Sequence, residues 1–363
     1  MRNILVLGAG VIGSSITRLL SQAEDYAVHL CDHDATALKR IGEGGGEANV
    51  SVSRLDAANR DELVRYIRAY PLEAIVSALP YYCNPPIAEI ARELGLHYFD
   101  LTEDVAVTRR VQALSRGAET AFVPQCGLAP GFISIVANEL MTHFDALDTV
   151  KLRVGALPVN PSNVLKYSLT WSTDGLINEC GNLCYGIQDG MEVALMPLEG
   201  YETIEMDGLL YEAFNTSGGL GTLADTYAGK VRNLNYKTLR YPGHREKMWF
   251  LMNDLKLNKD RDTLKRILEN AIPKTLQDVV LIYVSVTGRR NGDLYEESHV
   301  QKIYPQAIGG KVWSAIQIAT AAGLCAVLDL VLAQGDRYQG FVTQESFPLS
   351  AFQANRFGRF YRP

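Results

Sequence analysis

An apolar run that ends in a spaced set of glycines constrains this chain more than any other feature in it. Residues 3–7 (Asn3 to Leu7) are short and apolar, as a strand buried on both faces must be. They lead without a break into Gly8-Ala9-Gly10-Val11-Ile12-Gly13. From Val11 to Leu20 the apolar residues Ile12, Ile16, Leu19 and Leu20 share one helical face. A strand, a turn with glycines at its first, third and sixth positions, and a helix form the loop that wraps a dinucleotide pyrophosphate. Gly8 permits the tight turn, Gly10 lets backbone approach the phosphates, and Gly13 lets helix and strand lie close together. The amides of Val11 and Ile12 open the helix, where unbonded N–H groups and the positive dipole end favour an anion. The same spacing also occurs in turns that bind nothing, so the strand before it and the helix after it give it its weight.

Asp32 ends the second apolar segment, Tyr26–Cys31, about 20 residues further on, where a carboxylate can bind the adenosine ribose hydroxyls. It would repel a 2′-phosphate, which favours NAD over NADP, while His33 and Lys39 are nearby cations that pull the other way. Strand patterns recur at 48–52, 74–79, 97–100 and 121–123, separated by helical patterns at 60–70, 86–94 and 105–117. This strict alternation predicts an α/β Rossmann domain, a doubly wound parallel sheet with right-handed crossovers. Ligands bind at the carboxyl edge of such sheets. Candidate cofactor contacts are therefore Ala78, Leu79 and Pro80 after the fourth strand, Asp100 ending the fifth, and Cys126 and Gly127 beyond the sixth. Asp56, after the third, is either an adenine-edge contact or a solvated loop acid.

At 363 residues the chain exceeds what one compact core usually holds. After Pro124 the pattern changes. Residues 149–157 and 167–171 read as longer strands, and 279–287 alternates before reaching Asn291-Gly292, a type I′ hairpin signal. The expected architecture is a Rossmann domain at 1–125, completed by C-terminal helices at 311–363. An α+β substrate and dimerisation domain with a mixed sheet follows at 126–310. A net charge of −6 argues against nucleic acid as partner. The six cysteines are scattered without a CxxC pair, which predicts neither metal site nor disulfide framework and suits a cytoplasmic, reduced chain. The N-terminus lacks a secretory leader pattern. Residues 312–333 are long and apolar enough to span a membrane, but Gln317, Thr320 and Asp329 lie within them, so a buried helix and no membrane association are expected.

Several stretches resemble a known family. They are residues 98–104 (YFDLTED), 124–132 (PQCGLAPGF), 169–179 (LTWSTDGLINE), 214–220 (FNTSGGL) and 236–244 (YKTLRYPGH). The chain resembles the saccharopine dehydrogenase superfamily over nearly its whole length, and within it the bacterial L-lysine 6-dehydrogenase (lysine ε-dehydrogenase) branch. The Gly127-Leu128-Ala129-Pro130-Gly131 element is typical of the superfamily, and the other stretches of the branch. The resemblance implies NAD-dependent oxidative deamination of the lysine side-chain amine, cyclisation of the product aldehyde to a piperideine carboxylate, and a homodimer or higher oligomer. One position departs from it. Cys180 follows Asn178 and Glu179 where the resemblance leads one to expect tyrosine.

Removing hydride from a C–H beside an amine gives an imine that water hydrolyses, and the amine must first be neutral. A lysine amine titrates near about 10.4, so the site must take a proton or desolvate the cation. No metal is required, since NAD carries the redox chemistry. Arg240 can grip a substrate carboxylate with its planar fork, or be a structural ion-pair arginine. In an extended segment Tyr236 and Thr238 share its face. Tyr236 could assist proton transfer, or be a buried aromatic whose hydroxyl finds a partner. Trp171 could line the substrate's methylene chain or belong to the core. Glu179 and Asp174 could hold the α-ammonium, but five residues apart on a helix only one should point inward. Glu103 is a candidate base or a helix-capping acid, and His244 a proton shuttle or a capping residue. A nucleophilic Cys126 is unnecessary for amine oxidation. Two other readings stand beside this one. An enzyme of saccharopine or carboxynorspermidine type would join an amine and a carbonyl compound, and a second buried arginine such as Arg153 would favour it. A regulatory protein would hold NAD without turnover and leave the polar face of Tyr236, Thr238 and Arg240 unexplained.

Overall fold

The structure, a computed structural model, describes residues 1–42 and 48–362. It divides into two compact units, Met1–Leu128 with Thr320–Arg362, and Ala129–Ala319.

The first unit is built on β1 (Arg2–Leu7), β2 (Tyr26–Asp32), β3 (Val50–Arg54), β4 (Ala74–Ser77), β5 (His97–Asp100) and β6 (Ala121–Val123). Between them run α1 (Val11–Ser21), α2 (Ala35–Gly42), α3 (Arg60–Ala69), α4 (Asn84–Leu94) and α5 (Val105–Leu114). All strands pair in parallel in the order β3-β2-β1-β4-β5-β6, and Gly340–Phe341 from the C-terminal segment adds a seventh beside β6. This is the doubly wound arrangement, and its order reverses between β1 and β4, where such sheets bind ligands. Ile4, Leu5, Val6 and Leu7 are essentially inaccessible, as a central strand covered on both faces requires. The C-terminal tail is tied to this unit by Arg356, which pairs with Asp25 and Asp329, while Tyr26 donates its hydroxyl to Asp329.

The second unit holds α6 (Phe132–Met141), β7 (Ala146–Pro158), α7 (Thr173–Gly181), β8 (Cys184–Gln188), β9 (Met191–Leu195), β10 (Glu202–Met206) and β11 (Leu209–Asn215). These are followed by α8 (Leu223–Tyr227), β12 (Val231–Arg240), α9 (His244–Trp249), α10 (Arg261–Ala271), β13 (Asp278–Arg290) and β14 (Asp293–Ile303). The sheet runs β10-β11-β12-β7-β13-β14, with β8 also paired to β12 and β9 paired to β8. It is mixed, since β12 and β7 are parallel and the other pairs antiparallel. Asn291 and Gly292 both adopt positive φ (54° and 89°) between β13 and β14, the type I′ turn that their sequence predicts.

Two sequence expectations are corrected. Residues 167–171 form no strand. Leu169 donates its amide to Pro273, and the Trp171 indole folds back onto the Tyr167 hydroxyl four residues earlier, a contact that an extended chain cannot make. The apolar segment expected from Val312 begins its helix only at Ala315, because Lys311–Trp313 pairs with Gln306–Ile308. That helix, α11 (Ala315–Ala333), starts where the Asp278 carboxylate accepts the amides of Ala315 and Ile316 at 2.6 and 3.0 Å. It is long and apolar enough to cross a membrane, and 78% of its most apolar window is buried.

Candidate functional site

The glycine loop has the geometry its spacing implies. Gly8 sits at φ 104°, and a Cβ there would approach the Ala78 carbonyl oxygen to 2.8 Å. A Cβ on Gly13 would meet the Gly8 carbonyl oxygen at 1.9 Å, so helix and turn touch backbone to backbone. Gly10 differs, since a Cβ there meets nothing within 4 Å. Its open side borders a cleft of about 540 Å³ shared with Ala9, Val11, Ser14, Asp32 and His33. No side chain caps α1, so Val11 and Ile12 keep first-turn amides for an external anion. Asp32 accepts the Ala9 amide at 2.6 Å and the Asp34 amide at 2.8 Å, which pins the loop and places a carboxylate in the cleft. The residues present fit a dinucleotide.

The second unit contains a buried polar cluster. Period-two alternation along β12 puts Tyr236, Thr238 and Arg240 on one face, as expected, and all three are buried. Arg240 Nη2 donates to Glu179 Oε1 at 2.6 Å, and Nη1 to Thr238 Oγ1 at 2.5 Å and the Leu239 carbonyl at 2.9 Å. The guanidinium lies 5.1 Å from the Tyr167 ring centroid. Arg240 Nε has no partner. His244 begins α9, its Nδ1 bonded to the Leu165 carbonyl at 2.8 Å and its ring lying against Tyr167 and Phe214. Burial and the Arg240 charge pull its pKa down to about 3, so the ring is neutral and Nε2 is a buried acceptor without a donor. Thr170 Oγ1 and Thr216 Oγ1, on the segments that carry Tyr167 and Phe214, also lack partners. Native interiors seldom leave such atoms unmet, so each calls for a polar partner, a ligand or a water.

A family model for the saccharopine dehydrogenase NADP binding domain matches residues 4–123, and one for the saccharopine dehydrogenase C-terminal domain matches residues 127–355. The chain belongs to the saccharopine dehydrogenase family. Among solved structures, apo saccharopine dehydrogenase (L-Glu forming) from Saccharomyces cerevisiae matches with a TM-score of 0.76. It is 15% identical and covers 95% of this chain and 94% of its own. C. glutamicum DAP dehydrogenase in complex with DAP matches with a TM-score of 0.51 at 10% identity, covering 99% and 98%. At these identities the likeness establishes the fold. Family membership makes the chain an oxidoreductase with a nicotinamide-dinucleotide-binding domain.

In this family member the remaining sequence candidates are placed as follows. Ala78 and Leu79 are half-buried and Pro80 exposed at the end of β4. Asp56 is exposed and accepts the Ala58 amide, a turn acid. Asp100, expected among the cofactor contacts, is inaccessible. Its oxygens accept the Tyr98 hydroxyl and the Thr102 and Gln125 amides, so it joins the ends of β5 and β6 and has no face left for a ligand. Burial raises its carboxyl to about 6. The cap of α5 is Asp104, which accepts the Val107 amide, so Glu103 is not the capping acid. Cys126 is buried, with its thiol at the Val123 carbonyl and burial pushing its pKa far up, which leaves no reactive thiolate. Gly127 is buried against Gly323, where a Cβ would come within 2.9 Å of the Gly127 carbonyl.

Of the two acids on α7 only Glu179 faces the cluster, while Asp174 is half-exposed and paired with Lys265. Trp171 covers Gly175, where a Cβ would lie 2.3 Å from its ring. Cys180 belongs to an apolar core with Ile177, Phe214 and Met248. Burial and the Glu179 charge push the Tyr236 hydroxyl up, so it is a neutral donor and not a phenolate base. Tyr167 is the site residue that sequence reasoning missed. Its signal, an aromatic four residues before Trp171, is hidden by a segment that reads as a strand.

Proposed function

We propose that this chain oxidises the side-chain amine of L-lysine with NAD, releasing the semialdehyde that cyclises to a piperideine carboxylate. The observation that carries this reading is the buried Arg240–Glu179 pair with an unmet Arg240 Nε beside it. A buried ion pair with a spare donor is complementary to the zwitterionic head of an amino acid. The ligand's carboxylate docks on the guanidinium edge and its α-ammonium on the Glu179 carboxylate. The His244 Nε2 acceptor and the phenol of Tyr236 supply further polar contacts, and the Trp171 ring gives a methylene chain an apolar wall.

The bound dinucleotide supplies the hydride acceptor. The chain's own residues must hold the amine, strip its proton and admit one water to the imine. His244, held neutral down to about pH 3, accepts a hydrogen bond but does not retain a proton. Tyr236 does not ionise at neutral pH. Desolvation of the ammonium is the route these residues leave for that proton. Asp32 at the ribose position favours NAD, because its charge opposes a 2′-phosphate.

The condensing alternative calls for a second cationic pocket from Arg153. That arginine is fully buried, but its Nε is taken by Glu202 and its Nη1 by the Leu152 and Asn235 carbonyls. NADH formation measured with lysine, ornithine, saccharopine and simple primary amines tests the proposal. Lysine alone should suffice, and a requirement for a 2-oxo acid would overturn it.

A further inference from the structure

The opposite face of β12 carries a second polar site that the amine-dehydrogenase reading does not use. Alternation turns Asn235 and Lys237 away from Tyr236, Thr238 and Arg240. There they line a cavity of about 380 Å³ together with Ile187, Met196, Glu199 and Asn215. This lies at the lower end of the size range of small-molecule sites, roughly 300–1,000 Å³.

Its charges are unbalanced on the inner side. Arg153 Nε donates to Glu202 Oε1 at 2.5 Å, and Lys237 Nζ donates to Glu202 Oε2 at 2.7 Å. One carboxylate therefore serves a fully buried guanidinium and a largely buried ammonium, whose side chains are 1% and 12% exposed. Burial first, and then the neighbouring Arg153 and Lys151 charges, pull the Lys237 pKa down against the opposing pull of Glu202. A second observation is independent of charge. Asn235 Oδ1 is buried and has no hydrogen-bond partner, although the Asn235 carbonyl is engaged by Arg153. The cavity thus offers an under-neutralised cation and an unmet acceptor on residues two apart on one strand face. Glu199, exposed, contributes an anion to the same cavity.

We infer that this cavity binds a small carboxylate bearing an adjacent hydrogen-bond donor, with the carboxylate on Lys237 and the donor on Asn235 Oδ1. An α-amino acid and an α-hydroxy acid share this chemistry, and the inference does not depend on which reaction the Arg240 site performs. Calorimetric titration of the full-length protein with glycine, glycolate and acetate tests it. Glycine or glycolate binds, and acetate, which has no donor for Asn235, binds at least about fivefold more weakly. Preference for glycine over glycolate assigns the donor to an ammonium facing Glu199, and the reverse assigns it to a hydroxyl. The titrations are run in the Arg240→Met, Glu179→Leu background, which removes the amino-acid head site of the proposed reading without leaving a lone buried charge; there Lys237→Met weakens all binding by more than about tenfold and Lys237→Arg stays within about threefold. Should Lys237→Met not fold, Asn235→Leu carries the test by abolishing the preference over acetate. Absence of binding by all three probes in that background overturns the inference, as does binding that Lys237→Met leaves unchanged.

Discussion

Arg240 and Glu179 meet at 2.6 Å with side chains 4% and 10% exposed, an ion pair closed off from water on residues 61 apart in the chain. Removing one partner of such a pair leaves an uncompensated buried charge, which costs about 3–5 kcal/mol. Replacing both with apolar side chains of similar volume is often neutral or stabilising. Glu179→Leu should therefore lower the melting temperature sharply, and Arg240→Met with Glu179→Leu should restore most of it while amine turnover stays lost. Thermal denaturation and steady-state kinetics on the single and double variants separate the two effects. A double variant that regained turnover would remove this pair from substrate binding.

The three glycines of the first loop should fail in different ways. A Cβ on Gly13 collides with the Gly8 carbonyl oxygen, so Gly13→Ala should unfold or badly destabilise the first unit. A Cβ on Gly10 meets nothing, so Gly10→Ala should keep its melting temperature within about 1 °C while dinucleotide affinity falls by about tenfold or more. NADH fluorescence titration beside a thermal melt reads both. Unchanged NADH affinity in Gly10→Ala would show that no phosphate approaches there.

These glycines were legible in the sequence because the constraint is local. Strand, turn and helix are consecutive in the chain, Gly13 answers to Gly8 in the same loop, and Gly10 stays open on the cleft side. The β12 face was legible for a similar reason, because strand alternation places Tyr236, Thr238 and Arg240 without knowledge of anything else. What the sequence hid was partnership across distance. Glu179 reads as a lone acid on a helix until β12 brings Arg240 to it, and Asp100 reads as a ligand-edge carboxylate until Gln125 arrives from beyond β6. Residues 167–171 have a strand's composition, yet they pair with no strand, and the Trp171 indole donates to the Tyr167 hydroxyl. The α5 cap fell to Asp104 because the first helical residue, Val105, was one position from where Glu103 could reach.

Asp32 makes a prediction about cofactor choice. Its carboxylate lies in the cleft beside Gly10 and also holds the Ala9 amide. Asp32→Ser removes the charge that opposes a 2′-phosphate, while His33 and the exposed Lys39 remain to attract one. The kcat/KM ratio of NADP to NAD should rise by about 10- to 100-fold, a change of about 1.4–3 kcal/mol in discrimination. A ratio unchanged by the substitution would place the adenosine ribose elsewhere. NAD turnover should fall as well, since the loop loses an acceptor.

Asp100 predicts a stability change of unusual sign. Burial raises its carboxyl from 3.8 to about 6, so the folded chain binds this proton more tightly than the unfolded chain. Its contribution to stability is therefore complete below about pH 3.8 and is lost as pH rises through about 6, on the order of 3 kcal/mol in all. His244 acts in the opposite sense. Its value falls from 6.5 to about 3, so its contribution is present above pH 6.5 and is lost as pH falls. The two overlap between pH 4 and 6 and mask each other in the parent protein, but a comparison with Asp100→Asn isolates the first. Asparagine keeps the Thr102 and Gln125 amides on its oxygen, and its nitrogen meets the Tyr98 oxygen with that hydrogen bond reversed. Asp100→Asn should therefore be more stable than the parent at pH 7 and lose that advantage by about pH 4. Urea melts at both pH values measure the difference, and a variant less stable than the parent at pH 7 would show that Asp100 is held in its ionised form by more than these three hydrogen bonds.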